Sequence, residues 1–481
     1  MKTANIIGRK PELRKLQQCY DSNRAQLVIV YGRRRVGKTF LIQEAFRDEF
    51  ALRLTGAYNQ PRKVQIANVV AELRRVYKAD FPTPSTWTEA FALLRSFIES
   101  RPTDQRQVVF IDEIPWLDTP RSGFLPAFEY FWNSWGAQQS NLMLIACGSA
   151  TAWMTQKFAD NPGGLFNRHA IRLYLRPFTL AETEEYLQAQ GINWSRYDVA
   201  ECYMTVGGIP FYLSQLDSSL SYSANIDELL FRRKGGLWDE FKHLYSTLFR
   251  NSDSYLAVVE ALAKKKAGLT RSEICAATKL ANNGDLTIIL QNLIDSDFVN
   301  SYFYFGKKSK DTLYQLCDNY TLFYYQFVRD HYGRDEHFWS HSLDSPARRT
   351  WAGYAFEMLC RQHIHQIKRK LSILGVLSEE SVWYSKATEA EARGAQIDIV
   401  IDRRDRVINL CEAKFSINPF SISKDYEMEL RNKIDTFRRE TGTTKALHLT
   451  MITTYGLKQN AHSSLVQSQV TLDDLFAPYE P

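Results

Sequence analysis

The stretch Leu27-Val28-Ile29-Val30-Tyr31-Gly32-Arg33-Arg34-Arg35-Val36-Gly37-Lys38-Thr39-Phe40-Leu41-Ile42 decides the fold of the first third of this chain. The apolar run predicts a buried strand, and a GxxxxGK[ST] loop follows it directly into a helix opening at Lys38. In such a loop Gly32 and Gly37 let the backbone N–H groups of Arg33, Arg34, Arg35 and Val36 turn toward phosphate. The helix N-terminus adds a positive dipole, Lys38 reaches the β/γ-phosphates of a nucleotide, and the Thr39 hydroxyl is placed to hold Mg²⁺.

Working outward, apolar runs alternate with helical patterns, as in a parallel sheet covered by helices. The expected strands are Leu27 to Tyr31, Ala51 to Gly56, Val108 to Asp112, Leu142 to Cys147 and Ile171 to Leu175. Val108-Val109-Phe110-Ile111-Asp112-Glu113 ends in two carboxylates and has the form of a Walker B strand. Asp112 would bind Mg²⁺ through water, and Glu113 would polarise the water that attacks the γ-phosphate.

The chain has 481 residues, enough for two to four domains, with 44% hydrophobic and 24% charged residues. That balance excludes a disordered or fibrous chain. A net charge of +6 tolerates a nucleic-acid partner without requiring one, because binding depends on local clusters of Lys and Arg. The seven cysteines are scattered singly, with no CxxC pair, and read as reduced thiols. No run approaches the roughly 18 apolar residues that span a membrane, so a cytoplasmic protein without a membrane partner is expected.

A helical lid is expected from Pro177 to Gly235, interrupted by Gly207-Gly208-Ile209-Pro210. From Tyr255 to Asp318 three short helices and a hairpin outline a winged helix, followed by an aromatic-rich helix from Tyr320 to Tyr332. Leu286 to Ser296 would enter a DNA groove, with Lys307, Lys308 and Lys310 on the wing touching phosphate. Asp285, Asp295 and Asp297 oppose such a contact, so packing against neighbouring domains is the competing reading.

The N-terminal residues resemble the archaeal-type ATPase family within the AAA+/STAND P-loop ATPases. The resemblance covers residues 6 to about 330 and rests on Ile7-Gly8-Arg9 with Glu12 and Leu13, the Tyr-Gly-Arg-Arg-Arg form of the loop, and Ile111-Asp112-Glu113. Cys147-Gly148-Ser149-Ala150, Leu165 to Arg168 and Gly207 to Pro210 complete it. It implies that Gly8, Arg9 and Pro210 border the nucleotide, that Ser149 senses the γ-phosphate, and that Arg168 acts as an arginine finger. Arg33, Arg34, Arg35 and Arg172 compete for the finger role, and a finger supplied in trans would imply a homo-oligomer. The resemblance, with the absence of an NKxD-like guanine-reading motif, makes ATP the expected nucleotide.

Near the C-terminus, Ala395 to Asp402 reads as a strand, Arg403 to Arg406 as a tight turn, and Val407 to Lys414 as the antiparallel return. This pairs Asp398 with Cys411 or Glu412, depending on a one-residue change in register. Asp398 and Glu412 would hold Mg²⁺ through oxygen, Lys414 would orient or deprotonate the attacking water, and Glu357 on an upstream helix is a third acidic candidate. This D…ExK pattern resembles the PD-(D/E)XK nuclease superfamily, although Ile397 replaces the family's proline. Lys424, Lys433 and Arg438 downstream read as a solvated helix face or as contacts to a substrate backbone.

The expected architecture is α/β: a P-loop ATPase core over 1–176, a helical lid over 177–235, a winged helix with its connecting helix over 236–335, and a restriction-endonuclease-like domain over 336–481. The expected function is ATP binding and hydrolysis controlling a nuclease-like domain that acts on DNA. The alternative is a STAND-like switch that binds DNA or a protein without cleaving. None of the additional motifs of a helicase motor is present.

Overall fold

The computed structural model describes residues 5–159, 170–249, 251–306, 312–385 and 394–479. They fall into two compact units, Met1–Pro177 and Phe178–Pro481. Among the described residues, no helix is long and apolar enough to cross a membrane, and none of the seven cysteines forms a disulfide.

The first unit is built on β1 (Gln26–Tyr31), β2 (Phe50–Thr55), β3 (Gln107–Asp112), β4 (Leu142–Gly148) and β5 (Ile171–Tyr174). They form one sheet in the order β2-β3-β4-β1-β5, and every neighbouring pair is parallel. All residues of β3 and β4 are buried, which explains why these strands are continuous apolar runs instead of alternating ones. Inserting β4 between β1 and β3 brings the loop after β1 and the acidic end of β3 to the same edge of the sheet. Ligands bind at that carboxyl edge in open α/β sheets. The core behind it includes Leu27, Ile29, Val109, Ile111 and Leu144, with Phe91 stacked on Phe131 at 5.2 Å.

The second unit begins with the helices Leu180–Ala189 and Arg196–Val206. The first has a capping box between Thr179 and Glu182, and Ser195 caps the second. Gly208 follows where the chain doubles back on Phe178, whose N–H donates to the Gly208 carbonyl at 2.7 Å. A Cβ there would stand 2.1 Å from the Phe178 carbonyl oxygen, so only glycine fits. Pro210 opens the short helix Pro210–Leu213, where its missing N–H is no loss.

Three further helices, Ser252–Lys264, Arg271–Thr278 and Gly284–Asp295, precede β7 (Val299–Tyr302) and β8 (Leu313–Leu316). A short strand not foreseen from the sequence, β6 (Leu269–Thr270), pairs with β8 to make the order β6-β8-β7. The expected strand through Phe305 stops at Tyr302, and Tyr304 instead bridges to Val382 on the neighbouring sheet. Lys307, Lys308 and Lys310 lie outside the described residues. The aromatic segment runs as Asn319–Phe323, a π-helical Tyr324–Val328 and Arg329–His331.

The last sheet has the order β13-β12-β11-β10-β9, from β9 (Ser378–Ser385), β10 (Ala395–Arg403), β11 (Val407–Lys414), β12 (Ala446–Thr453) and β13 (Ser468–Thr471). β9, β10 and β11 are antiparallel neighbours, whereas β12 and β13 run parallel to β11. The parallel step from β11 to β12 is made through the Lys424–Thr441 helix. The Pro346–Gln362 helix packs against β11.

Candidate functional site

The loop after β1 bends through positive φ at Gly32 (142°), Arg35 (70°) and Gly37 (90°) before the Lys38–Ala45 helix begins. A Cβ on Gly32 would lie 2.3 Å from the Leu175 carbonyl, so the β5 end of the sheet dictates glycine there. The Lys38 ammonium is buried and donates to the carbonyls of Gly32 and Arg33 at 2.8 Å each. Burial lowers its pKa, and Glu113 and Asp112 oppose that shift. Arg9, in the left-handed region, donates to the carbonyls of Val36 at 3.0 Å and Arg176 at 2.6 Å. It therefore braces the loop from behind; Gly8 beside it also has a positive φ.

The Thr39 hydroxyl donates to Asp112 Oδ2 at 2.9 Å, joining two residues 73 positions apart. The next residue, Glu113, takes φ 46°, and its Oε2 accepts from the Ser149 hydroxyl at 2.9 Å and the Ser149 N–H at 3.2 Å. Burial raises the Glu113 pKa, while the Lys38 ammonium and the Ser149 N–H pull it back. Lys38, Thr39, Asp112, Glu113 and Ser149 thus converge at one sheet edge. Arg33 is buried, Arg34, Arg35 and Val36 complete the loop, and Arg172 is exposed on β5. Arg168 lies outside the described residues, and Pro210 belongs to the second unit.

A second cluster lies on β10 and β11. Ile399 pairs with Cys411 and Asp402 with Ile408, so the same register continued by one position sets Asp398 opposite Glu412. A bulge falls between Ile397 and Val400 where β10 meets β9, setting Asp398 and Ile399 against one partner residue. Bulges re-aim side chains, and nothing in the alternation of the strand announces this one. Asp398 is 6% exposed and Glu412 1%. Asp398 Oδ2 accepts from the Ala413 N–H at 2.9 Å, and the Arg361 guanidinium donates to the Asp398 carbonyl at 3.0 Å.

Glu412 Oε2 accepts from Lys433 Nζ at 2.7 Å and from the Tyr426 hydroxyl at 3.3 Å, whereas its Oε1 is buried without a hydrogen-bond partner. Burial, reinforced by Asp398, pushes Glu412 up to about 7. Glu357, on the Pro346–Gln362 helix, is pushed up to about 8 by burial and by Asp398. Lys414 lies 5.0 Å from the centre of the Tyr426 ring.

One expectation is corrected here. The Ala413 N–H holds Asp398, and Lys433 with Tyr426 holds Glu412. Lys433 is not on a solvated face, being 12% exposed in its pair with Glu412. The signal was present in the sequence, since Lys433 falls inside the stripe Tyr426, Leu430, Ile434, Phe437 that turns inward. Lys424 and Arg438 are exposed, as that face would suggest.

Residues 6–216 match the model of the ATPase domain predominantly from Archaea, so the chain carries an ATPase domain of that type. An uncharacterized protein of Methanocaldococcus jannaschii is 22% identical over 417 residues, covering 85% of this chain and 87% of its own. Among solved structures, a Walker-type ATPase of Pyrococcus abyssi aligns with a TM-score of 0.46 at 18% identity, over 68% of this chain and 97% of that one. The ORC2 protein of Aeropyrum pernix, in ADPNP–ADP complexes, aligns with a TM-score of 0.41 at 12% identity, over 75% and 97%.

Proposed function

We propose that the protein binds and hydrolyses ATP with Mg²⁺ and that its nucleotide state controls a nuclease-like C-terminal module acting on DNA. The observation that carries the first part is the Thr39–Asp112 contact of 2.9 Å, which presents a hydroxyl and a carboxylate oxygen at the mouth of the phosphate loop. Mg²⁺ takes oxygen ligands and keeps several waters, so Thr39 and Asp112 fit it; when bound, the ion neutralises charge on the phosphates. Lys38 would leave the carbonyls of Gly32 and Arg33 for the β/γ-phosphates. Glu113, released from Ser149, would accept the proton of the attacking water, and Ser149 would report the γ-phosphate.

For the C-terminal module, the support is the buried, unpartnered Oε1 of Glu412, on the strand paired with the one that carries Asp398. A buried carboxylate oxygen without a protein donor is a place for a cation. Asp398 and Glu412 would hold a divalent ion that polarises a phosphodiester, and Lys414 would swing from the Tyr426 ring to orient the water. The helix, three antiparallel strands, helix and parallel strand from 346 to 453 also accord with the nuclease-like reading.

The competing reading, a nucleotide switch that binds DNA or a protein without cutting, is favoured by the Lys433–Glu412 pair, which places an ammonium where a metal would draw charge. Incubating plasmid with Mn²⁺ and ATP and comparing the wild type with Asp398→Ala decides between them. Nicking that disappears in the variant supports cleavage, and no nicking by either protein supports the switch.

A further inference from the structure

A cavity of about 210 Å³ opens among the Ser252–Lys264 helix, the aromatic segment and the Pro346–Gln362 helix. Lys264, Lys266, Arg329, Tyr325, Trp351 and Tyr354 line it, and among the described residues no lining residue is acidic. Two of the cations are partly neutralised from its rim. Lys264 pairs with Glu260 at 3.1 Å, and Arg329 with Glu260 at 3.5 Å and Asp330 at 3.3 Å.

Lys266 differs. Among the described residues no carboxylate lies within ion-pair distance of it, and its ammonium sits 5.1 Å from the centre of the Tyr354 ring. A ring holds a cation without cancelling its charge. The loop is fixed as well, because the Lys266 carbonyl accepts from Gln315 Nε2 at 2.7 Å and from the Tyr354 hydroxyl at 3.1 Å. Gln315 in turn accepts from Arg361, the residue that donates to the Asp398 carbonyl. Tyr354, Glu357 and Arg361 share one helix face, and about 4.5 Å of rise separates Tyr354 from Glu357. Burial lowers the Lys266 pKa, and the charge of Glu357 opposes that shift.

Positive charge beside rings suits a phosphate with an attached apolar body. The volume is below the roughly 300–1,000 Å³ of pockets that enclose a whole ligand, so it suits one unit of a polymer better than a free dinucleotide. We propose that this cavity is a strand-holding subsite in which Lys266 binds a backbone phosphate of nucleic acid, with its sugar against Trp351 and Tyr354. The inference rests on the nucleic-acid reading of the C-terminal module.

The test is fluorescence anisotropy of short labelled DNA strands in EDTA, over a series of salt concentrations, with the wild type, Lys266→Ala, Lys266→Arg and the exposed-lysine control Lys63→Ala. Equal ATP hydrolysis and circular dichroism across the set establish folding. The expected result is at least about tenfold weaker binding for Lys266→Ala with a salt slope lower by about one, recovery in Lys266→Arg, and no change in Lys63→Ala. Wild-type affinity and slope in Lys266→Ala would overturn the subsite and leave the nucleic-acid reading standing. A wild-type protein that binds no strand fails both. Lys266-dependent binding of a free nucleoside monophosphate, without strand binding, overturns the assignment to a polymer.

Discussion

Lys433 donates to Glu412 across 2.7 Å from a helix that the chain enters ten residues after β11 ends, and the pair is almost wholly buried. Burial alone would lower the lysine's pKa, but Glu412, Asp398 and Glu429 outweigh it and the net shift is upward. The ammonium is therefore held in its charged form by the carboxylates it faces. Removing it leaves Glu412 to take up a proton or stay buried as an uncompensated anion. Lys433→Met should be tolerated near pH 6 and lose about 3 kcal/mol as pH rises well above 7, since an orphaned buried charge is costly. Denaturant melts across that range should show the loss, and adding Glu412→Gln should remove it.

Glu357 makes a separate pH prediction. Its folded pKa of about 8 lies above the ordinary value of 4.5, so its contribution to stability is complete below about 4.5 and is lost as pH rises through 8. Calorimetric Tm measured from pH 5 to 8.5 should fall for the wild type more than for Glu357→Gln. Parallel curves would show that the carboxyl is hydrated.

At the phosphate loop, Glu113→Gln should keep ATP binding and lower the hydrolysis rate by about 10²–10⁴, the usual worth of a positioned base. Lys38→Ala should instead weaken binding itself, because its ammonium is a buried cation at the start of the helix that follows the loop. Titration calorimetry and phosphate release together separate the two outcomes.

Thr39→Val removes the donor to Asp112 without changing the shape of the helix start. Nucleotide affinity measured with Mg²⁺ should then fall to that measured in EDTA, whereas Thr39→Ser should retain the difference. A Mg²⁺ effect that survives in Thr39→Val would exclude the hydroxyl from the ion site.

Gly208→Ala should destabilise the second unit by about 2 kcal/mol or more, since its Cβ would meet the Phe178 carbonyl at 2.1 Å, inside the backbone. Gly284→Ala, where a Cβ would meet nothing within 4 Å, is the control and should cost nothing measurable.

The linear chain determined a good deal of this. Strands β1, β3 and β4 are largely unbroken apolar runs, so their existence and the loop between Tyr31 and Lys38 follow from local pattern, as does the hairpin from Ala395 to Lys414. What the tertiary structure alone decided is which distant groups meet. Placing β4 between β1 and β3 aims Asp112 at Thr39 and Glu113 at Ser149, an outcome of strand order that no local spacing encodes. The bulge at Asp398, the inward turn of Lys433 and the seating of Lys266 over Tyr354 likewise depend on packing between segments far apart in the chain. A side chain's chemistry is written at its own position, but its burial and its partners are set by the surfaces folded against it.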